Sequence, residues 1–360
     1  MVGETGFEPA TLWSQTRCAT RLRYSPTAAV IRAKFANTSC IVACLRFSCI
    51  GRLTAHRKPI WWRAMTQHPA FTGAYTAMIT PLSESGVDYA QLETFTEWQI
   101  TKGIHGLVPC GTTGESPTLT PEEHKEVVAA TVRATKGRVK VMAGTGSNAT
   151  AEAIDFTRHA EEAGADAALV VTPYYNKPTQ EGLFQHFKAI ADATALPIFI
   201  YNIPGRSVIN MTDATIARLA EQCPTIAGLK DATGDLARVA TLRHLLGDRL
   251  QLFSGEDMTA VGFNAMGGQG VISVVSNIMP KETAAVQELT LRGDYAGARA
   301  AHAPLVPLIS SMFIETNPVP VKYAAALMGK CTHHIRLPLV PPTDATQQAI
   351  RAALQDAKLI

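Results

Sequence analysis

Lys230 closes the apolar run Ile226-Ala227-Gly228-Leu229, and that placement is the first hint of chemistry in the chain. An amine held at the end of a buried strand is partly stripped of water. Desolvation disfavours the ammonium and leaves the neutral nucleophile that a Schiff base with a carbonyl compound requires. Two blander readings stand beside it: a surface lysine, or an ion pair with the adjacent Asp231. Tyr201 ends the apolar run Pro197–Tyr201, so its phenol can reach the same place and relay protons if other hydroxyls bridge to it. Thr112, Thr113 and Tyr175 are the candidates for that bridge; each taken singly reads equally well as a loop hydroxyl bonded to nearby backbone. Arg206, five residues beyond Tyr201, carries a planar fork suited to a carboxylate. In isolation it reads as an exposed loop arginine. Lys140 stands at the start of its apolar run and takes no catalytic part.

Residues so far apart in sequence meet only if regular elements carry them. Apolar runs near Tyr75–Thr80, Gly106–Cys110, Val139–Ala143, Ala168–Thr172, Pro197–Tyr201, Ile226–Leu229, Leu250–Phe253 and Gly270–Val274 read as strands. Between them lie helix-like stretches such as Pro121–Ala134, Ala149–Ala163 and Thr212–Gln222. Thr120-Pro121-Glu122-Glu123 supplies a cap, a first-turn proline and two acids at the positive end of the helix dipole; Thr212-Asp213 opens the next in a similar way. Eight strands alternating with helices predict an α/β fold, a (β/α)₈ barrel rather than an open doubly wound sheet. In such a barrel chemistry sits where strands end. Those ends are polar here: Gly111–Ser116, Gly144–Gly146, Thr172–Asn176, Tyr201–Arg206, Lys230-Asp231, Ser254–Asp257 and Ile272-Ser273. Later the chain reads as a helix over Tyr295–Ser311, a proline-rich turn at 317–320, and helices over Val321–Met328 and Ala345–Ala357. The expected organisation is an extension over 1–64, a catalytic barrel over 65–293 and a C-terminal helical appendage over 294–360.

Of 360 residues, 46% are hydrophobic and 18% charged, enough apolar material for a large core. No run of about 18 apolar residues marks a membrane span. The net charge of +3 is misleading, because ten Lys/Arg and only two acids fall in residues 1–64, leaving 23 basic and 28 acidic residues beyond them. A mildly acidic body removes the electrostatic case for nucleic-acid binding. The seven cysteines are odd in number and four lie before residue 65, which speaks against a disulfide framework and for a reducing compartment. Gly144-x-Gly146-x-x-Ala149 matches a dinucleotide fingerprint, but the acid that fingerprint wants after the next strand is absent, and Asp166 precedes that strand instead. No metal motif is present: His333 and His334 are adjacent, and Cys40-x3-Cys44-x4-Cys49 lacks a histidine pair.

Residues 1–64 show no lasting period. The segment reads as an Arg-rich, acid-poor targeting peptide, as an interaction tail, or as translation from a mis-assigned start ahead of Met65. Gly3–Gln15 resembles a mistranslated tRNA gene, which favours the last.

From about Phe71 to Ile360 the chain resembles the dihydrodipicolinate synthases, within the class I aldolase superfamily that includes N-acetylneuraminate lyase. The resemblance is carried in order by Gly111–Ser116, Ala143–Asn148, Val171–Asn176, Tyr201–Pro204, Gly228–Asp231, Gly270–Ser273 and Asn317–Lys322. It implies that Lys230 forms a Schiff base with pyruvate and that the enamine attacks aspartate 4-semialdehyde, giving 4-hydroxy-tetrahydrodipicolinate without a cofactor or metal. It implies a proton relay of Tyr201, Thr112 and Tyr175, the last from a neighbouring subunit. It assigns Thr113 and the backbone of Ile272 to pyruvate, Arg206 to the semialdehyde carboxylate, and Gly255 to a backbone acceptor beside the lysine. Ser116, His124, Asn148, Glu152 and Tyr174 match a lysine-inhibitor site, with Pro121 replacing a histidine of some sensitive members. A homotetramer of two tight dimers is implied, in a bacterial cytoplasm if Met65 is the start and in a plastid if the extension is a transit signal. The rivals are a sugar-acid lyase of the same superfamily, sharing Lys230 and Tyr201, and a non-catalytic barrel that binds 2-oxo acids or a protein partner.

Overall fold

The computed structural model describes residues 71–360; the readings of the segment 1–64 lie outside the described residues. Eight parallel strands close into a barrel: β1 (Gly73–Ala77), β2 (Gly106–Val108), β3 (Lys140–Gly144), β4 (Ala167–Val171), β5 (Ile198–Asn202), β6 (Ile226–Asp231), β7 (Gln251–Ser254) and β8 (Gly270–Ser273). The ring shuts where β1 pairs with β8, from Gly73 beside Gly270 to Thr76 beside Ser273. Helices alternate with the strands: α1 (Tyr89–Thr101), α2 (Pro121–Thr135), α3 (Thr150–Glu162), α4 (Gln180–Ala191), α5 (Asp213–Gln222), α6 (Leu236–Leu246), α7 (Ala260–Ala265) and α8 (Pro280–Leu291). A C-terminal helical part follows, with α9 (Tyr295–His302), α10 (Val306–Ser311), α11 (Val319–Leu327) and α12 (Asp344–Asp356). The expected barrel with helices at its C-terminal end is therefore the fold.

The strands are continuous apolar runs because side chains are buried on both faces. One set fills the barrel: Phe71, Tyr75, Phe199, Tyr201, Phe253 and Ile272 among them. Their rings meet edge to face, Phe71 on Phe199 at 5.1 Å and Tyr75 on Phe253 at 5.2 Å between centroids, the arrangement that ring quadrupoles favour. The other set, including Ile200 and Leu229, packs outward with Phe95, Val127 and Leu183 of the helices.

Local signals are realised where they were strongest. Thr120 and Glu123 form a reciprocal capping box with Pro121 in the first turn of α2, and Thr212 caps α5 by accepting from Thr215 N–H. The first strand ends at Ala77, short of the expected Thr80, because Ile79 N–H turns to the Asn277 side chain at 3.0 Å. The helix expected over Tyr295–Ser311 is two helices. Pro304 and Pro307 withhold the amide donors a continuous helix would need. Asp166 is occupied at the N-terminal end of the strands, bonding Lys140 Nζ at 2.6 Å and Val141 N–H at 2.9 Å, which accounts for both the decoy acid and the non-catalytic lysine. Among the described residues no helix is long and apolar enough to cross a membrane.

Candidate active site

The chain reaches Lys230 through an irregularity. Ile198 pairs with Ile226 but Phe199 pairs with Gly228, so β6 carries one extra residue against β5. A bulge of this kind shifts the alternation of side chains. Ile226 and Leu229 pack outward against the helices, Ala227 packs inside, and Lys230 falls on the inner side beside Tyr201. Gly228 at the bulge has no alternative, since a Cβ there would stand 2.2 Å from the Phe199 ring.

Tyr201 and Lys230 are register partners on β5 and β6. Lys230 is 6% exposed and its Nζ lies 4.0 Å from the centroid of the Tyr201 ring. Asp231 points to the other side of the strand, where Arg238 on α6 meets its carboxylate at 3.2 Å and the Asp213 carboxylate at 2.9 Å. Burial raises the Asp231 carboxyl above its usual range, against the pull of Arg238. The ion pair that competed with a chemical role for Lys230 is thus not formed; Asp231 belongs to Arg238.

A cavity of about 330 Å³ opens at the strand ends, a size that suits a small ligand, lined among others by Thr112, Tyr174, Tyr201, Arg206, Asn317 and Leu339. Lys230 is not on that wall; it meets the site through the ring of Tyr201. Thr113 is buried and accepts a hydrogen bond from Asn317 Nδ2 at 3.1 Å. Arg206 is exposed at the rim and donates from Nη2 to the Asn317 carbonyl at 2.9 Å. Ile272 lies buried in β8. Gly255 follows β7 and donates its N–H to the Asp231 carbonyl at 2.7 Å; a Cβ at this point would meet Ala232 Cβ at 2.6 Å. Tyr175 is set apart. It is 89% exposed, with φ of 71°, and does not line the cavity of its own chain.

The five residues of the expected inhibitor site lie around the ends of β2 to β4. Ser116 and Tyr174 share the cavity wall. Burial first and the Glu152 charge second raise the Tyr174 phenol, while Glu152 accepts from Ser147 and the Asn148 carbonyl accepts from Asn176 at 2.9 Å. His124 is buried, its ring stacked on Phe156 at 3.9 Å.

Several neighbours of the site were passed over in the sequence. Glu256, half-buried beyond Gly255, has its carboxyl raised by burial and then by Asp257, with the charge of Lys230 acting the other way. Glu115 and Lys322 form a fully buried ion pair, and Arg336 clasps Glu123 with both terminal nitrogens at 2.6 Å. A signal was available for one of them: Lys322 is the sole charge in the apolar stretch Val319–Leu327, and a lysine there demands a carboxylate.

The model of the dihydrodipicolinate synthetase family matches residues 70–357. The chain belongs to this family. Among similar proteins, the 4-hydroxy-tetrahydrodipicolinate synthase of Rhodospirillum centenum is 56% identical over 290 residues, spanning 81% of this chain and 99% of its own. A chloride-inhibited dihydrodipicolinate synthase from Acinetobacter baumannii, solved with pyruvate, superposes with a TM-score of 0.79 at 43% identity, covering 81% of this chain and all of its own. One from Cyanidioschyzon merolae, solved with lysine bound, gives 0.78 at 39% identity over 81% of this chain and 99% of its own. Within the superfamily, these relatives favour the synthase over the sugar-acid lyase.

Proposed function

We propose that this enzyme condenses pyruvate with L-aspartate 4-semialdehyde on Lys230, giving 4-hydroxy-tetrahydrodipicolinate for lysine and diaminopimelate synthesis. The observation that carries the reading is the buried Lys230 amine, free of Asp231 and lying 4.0 Å from the ring of Tyr201, which lines a small cavity at the strand ends. The neutral amine adds to the ketone of pyruvate and water leaves as the Schiff base forms. Loss of a methyl proton gives the enamine, whose carbon attacks the aldehyde while the aldehyde oxygen takes up a proton. The amino group of the semialdehyde then attacks the re-formed Schiff-base carbon, closing the ring and expelling the Lys230 amine. Tyr201 and Thr112 move these protons with Tyr175 of a second copy; the exposure of Tyr175 supports its serving a neighbour rather than its own chain. Thr113 and the Ile272 backbone hold pyruvate, Gly255 lies beside the lysine, and Arg206 at the rim receives the carboxylate of the semialdehyde.

The working unit in this reading is a homotetramer of two tight dimers in the cytoplasm, with residues 65–293 as the catalytic barrel and 294–360 as the helical part. Lysine binds as an inhibitor at Ser116, His124, Asn148, Glu152 and Tyr174; the lysine-bound relative supports this, and calorimetry with lysine showing no heat would remove it. The central test is borohydride trapping with pyruvate followed by peptide mass mapping. The expected result is one reduced pyruvate adduct on the Lys230 peptide. An unmodified Lys230 peptide would end the reading.

A further inference from the structure

The C-terminal helical part reaches the loop after β2 through buried polar contacts that end on Thr113, read above as holding pyruvate, and on Glu115 two residues further on. Lys322 on α11 is 0% exposed, and its ammonium pairs with Glu115, itself 2% exposed. Stripping both charges of water is costly, and packed apolar residues would serve stability as well. What the pair supplies instead is a fixed position. Glu115 stands in the left-handed region with φ of 57°, between the single turns Thr112–Gly114 and Ser116–Thr118, and its N–H donates to the Thr112 carbonyl at 3.2 Å. Its second carboxylate oxygen accepts from Arg336 N–H at 3.3 Å. Holding Glu115 therefore holds Thr112.

Asn317 acts on the next residue. It is 5% exposed, donates Nδ2 to Thr113 Oγ1 at 3.1 Å, and accepts Arg206 on its carbonyl at 2.9 Å. A hydroxyl that accepts from an amide keeps its own proton for a further acceptor. Thr113 is thereby set to donate to an anion rather than to receive a bond.

We propose that Asn317 and Lys322 are positioning residues that fix the Thr112–Gly114 turn and aim the Thr113 proton at the carboxylate of the 2-oxo acid, so that the strands alone do not make a complete site. The inference rests on the reading of Thr113 as a residue that holds pyruvate.

Asn317→Asp and Asn317→Ala in the full chain separate this from a purely structural role. An aspartate keeps the shape but accepts the Thr113 proton and repels the substrate anion. The expected result is a pyruvate KM raised at least tenfold more by Asn317→Asp than by Asn317→Ala, with similar melting temperatures. A wild-type KM in Asn317→Asp overturns the proposal. For the pair, Glu115→Gln combined with Lys322→Met is expected to recover the melting temperature lost in Lys322→Met while leaving kcat/KM at least tenfold low. Recovery of both would reduce the pair to a structural role and overturn its part. If neither lysine variant folds, the asparagine series decides alone. Absence of a pyruvate adduct in the wild type would instead sink the reading of the site itself, a different result from a normal adduct with an unmoved KM.

Discussion

The chain buries a lysine in two regions and treats them in opposite ways. At the barrel mouth Lys230 is 6% exposed, with an aromatic ring at 4.0 Å and its neighbouring carboxylate turned away to Arg238. Beneath the β2 loop Lys322 is 0% exposed and locked to Glu115. Burial alone therefore does not mark a reactive amine. A buried lysine committed to an ion pair, as Lys322 is to Glu115, has no nitrogen to spare for a carbonyl; one whose adjacent acid is taken by another partner, as at Lys230, is left to act as the nucleophile. At Lys230 the adjacent acid stands on the opposite face of the strand, whereas at Lys322 an acid from the loop after β2 is brought against the helix.

Changing each lysine should break the molecule in a different place. Lys230→Met is expected to lower kcat/KM by at least about 10⁴-fold, because covalent capture goes with the amine. Its melting temperature should stay within a few degrees of wild type, read by calorimetry. An active Lys230→Met would erase the contrast between the two lysines. Lys322→Met should act the other way round in its first effect, lowering the unfolding free energy by about 3–5 kcal/mol, since it strands the Glu115 charge in the interior. Denaturant titration measures this; an unchanged midpoint would mean that Glu115 finds water or another partner.

The smallest effect sharpens the picture of the region around α2, next to the Arg336–Glu123 clasp. His124 is held down to about 4, chiefly by burial, with the nearby His159 and Lys125 adding to it and a backbone bond to Gly144 opposing. Between pH 6.5 and 4 the unfolded chain binds a proton there that the folded chain refuses, so stability falls as the pH drops through that window. His124→Gln should remove up to about 3 kcal/mol of that fall, the free-energy equivalent of the shift. Urea midpoints at pH 7, 5 and 4 give the slope. An identical slope in the variant would assign the acid lability to other groups, His186 first, which burial also lowers to about 4.

The barrel was legible because each of its strands is a short apolar run closed by a polar cluster, and because Thr120 and Thr212 announce their helices through local bonds. Lys230 and Tyr201 were legible for the same reason, as polar residues ending such runs. Asn317, Lys322 and Glu115 were seen only as parts of recurring motifs, without a role. Their meaning depends on contacts across some 200 residues, which no local pattern encodes. Arg238 was hidden likewise, an ordinary basic residue on α6 until Asp231 and Asp213 are placed beside it.

Residue chemistry and spacing were enough to settle the alternation of strand and helix and to put an amine, a phenol and a set of hydroxyls at the strand ends, since side-chain period and capping are short-range effects. The face on which each of them stands was left to the folded chain. One extra residue in β6 opposite Phe199 reverses the alternation, turning Lys230 inward to Tyr201 and Asp231 outward to Arg238. That bulge exists only when two strands are paired, and so the side of the sheet that became reactive was a tertiary decision.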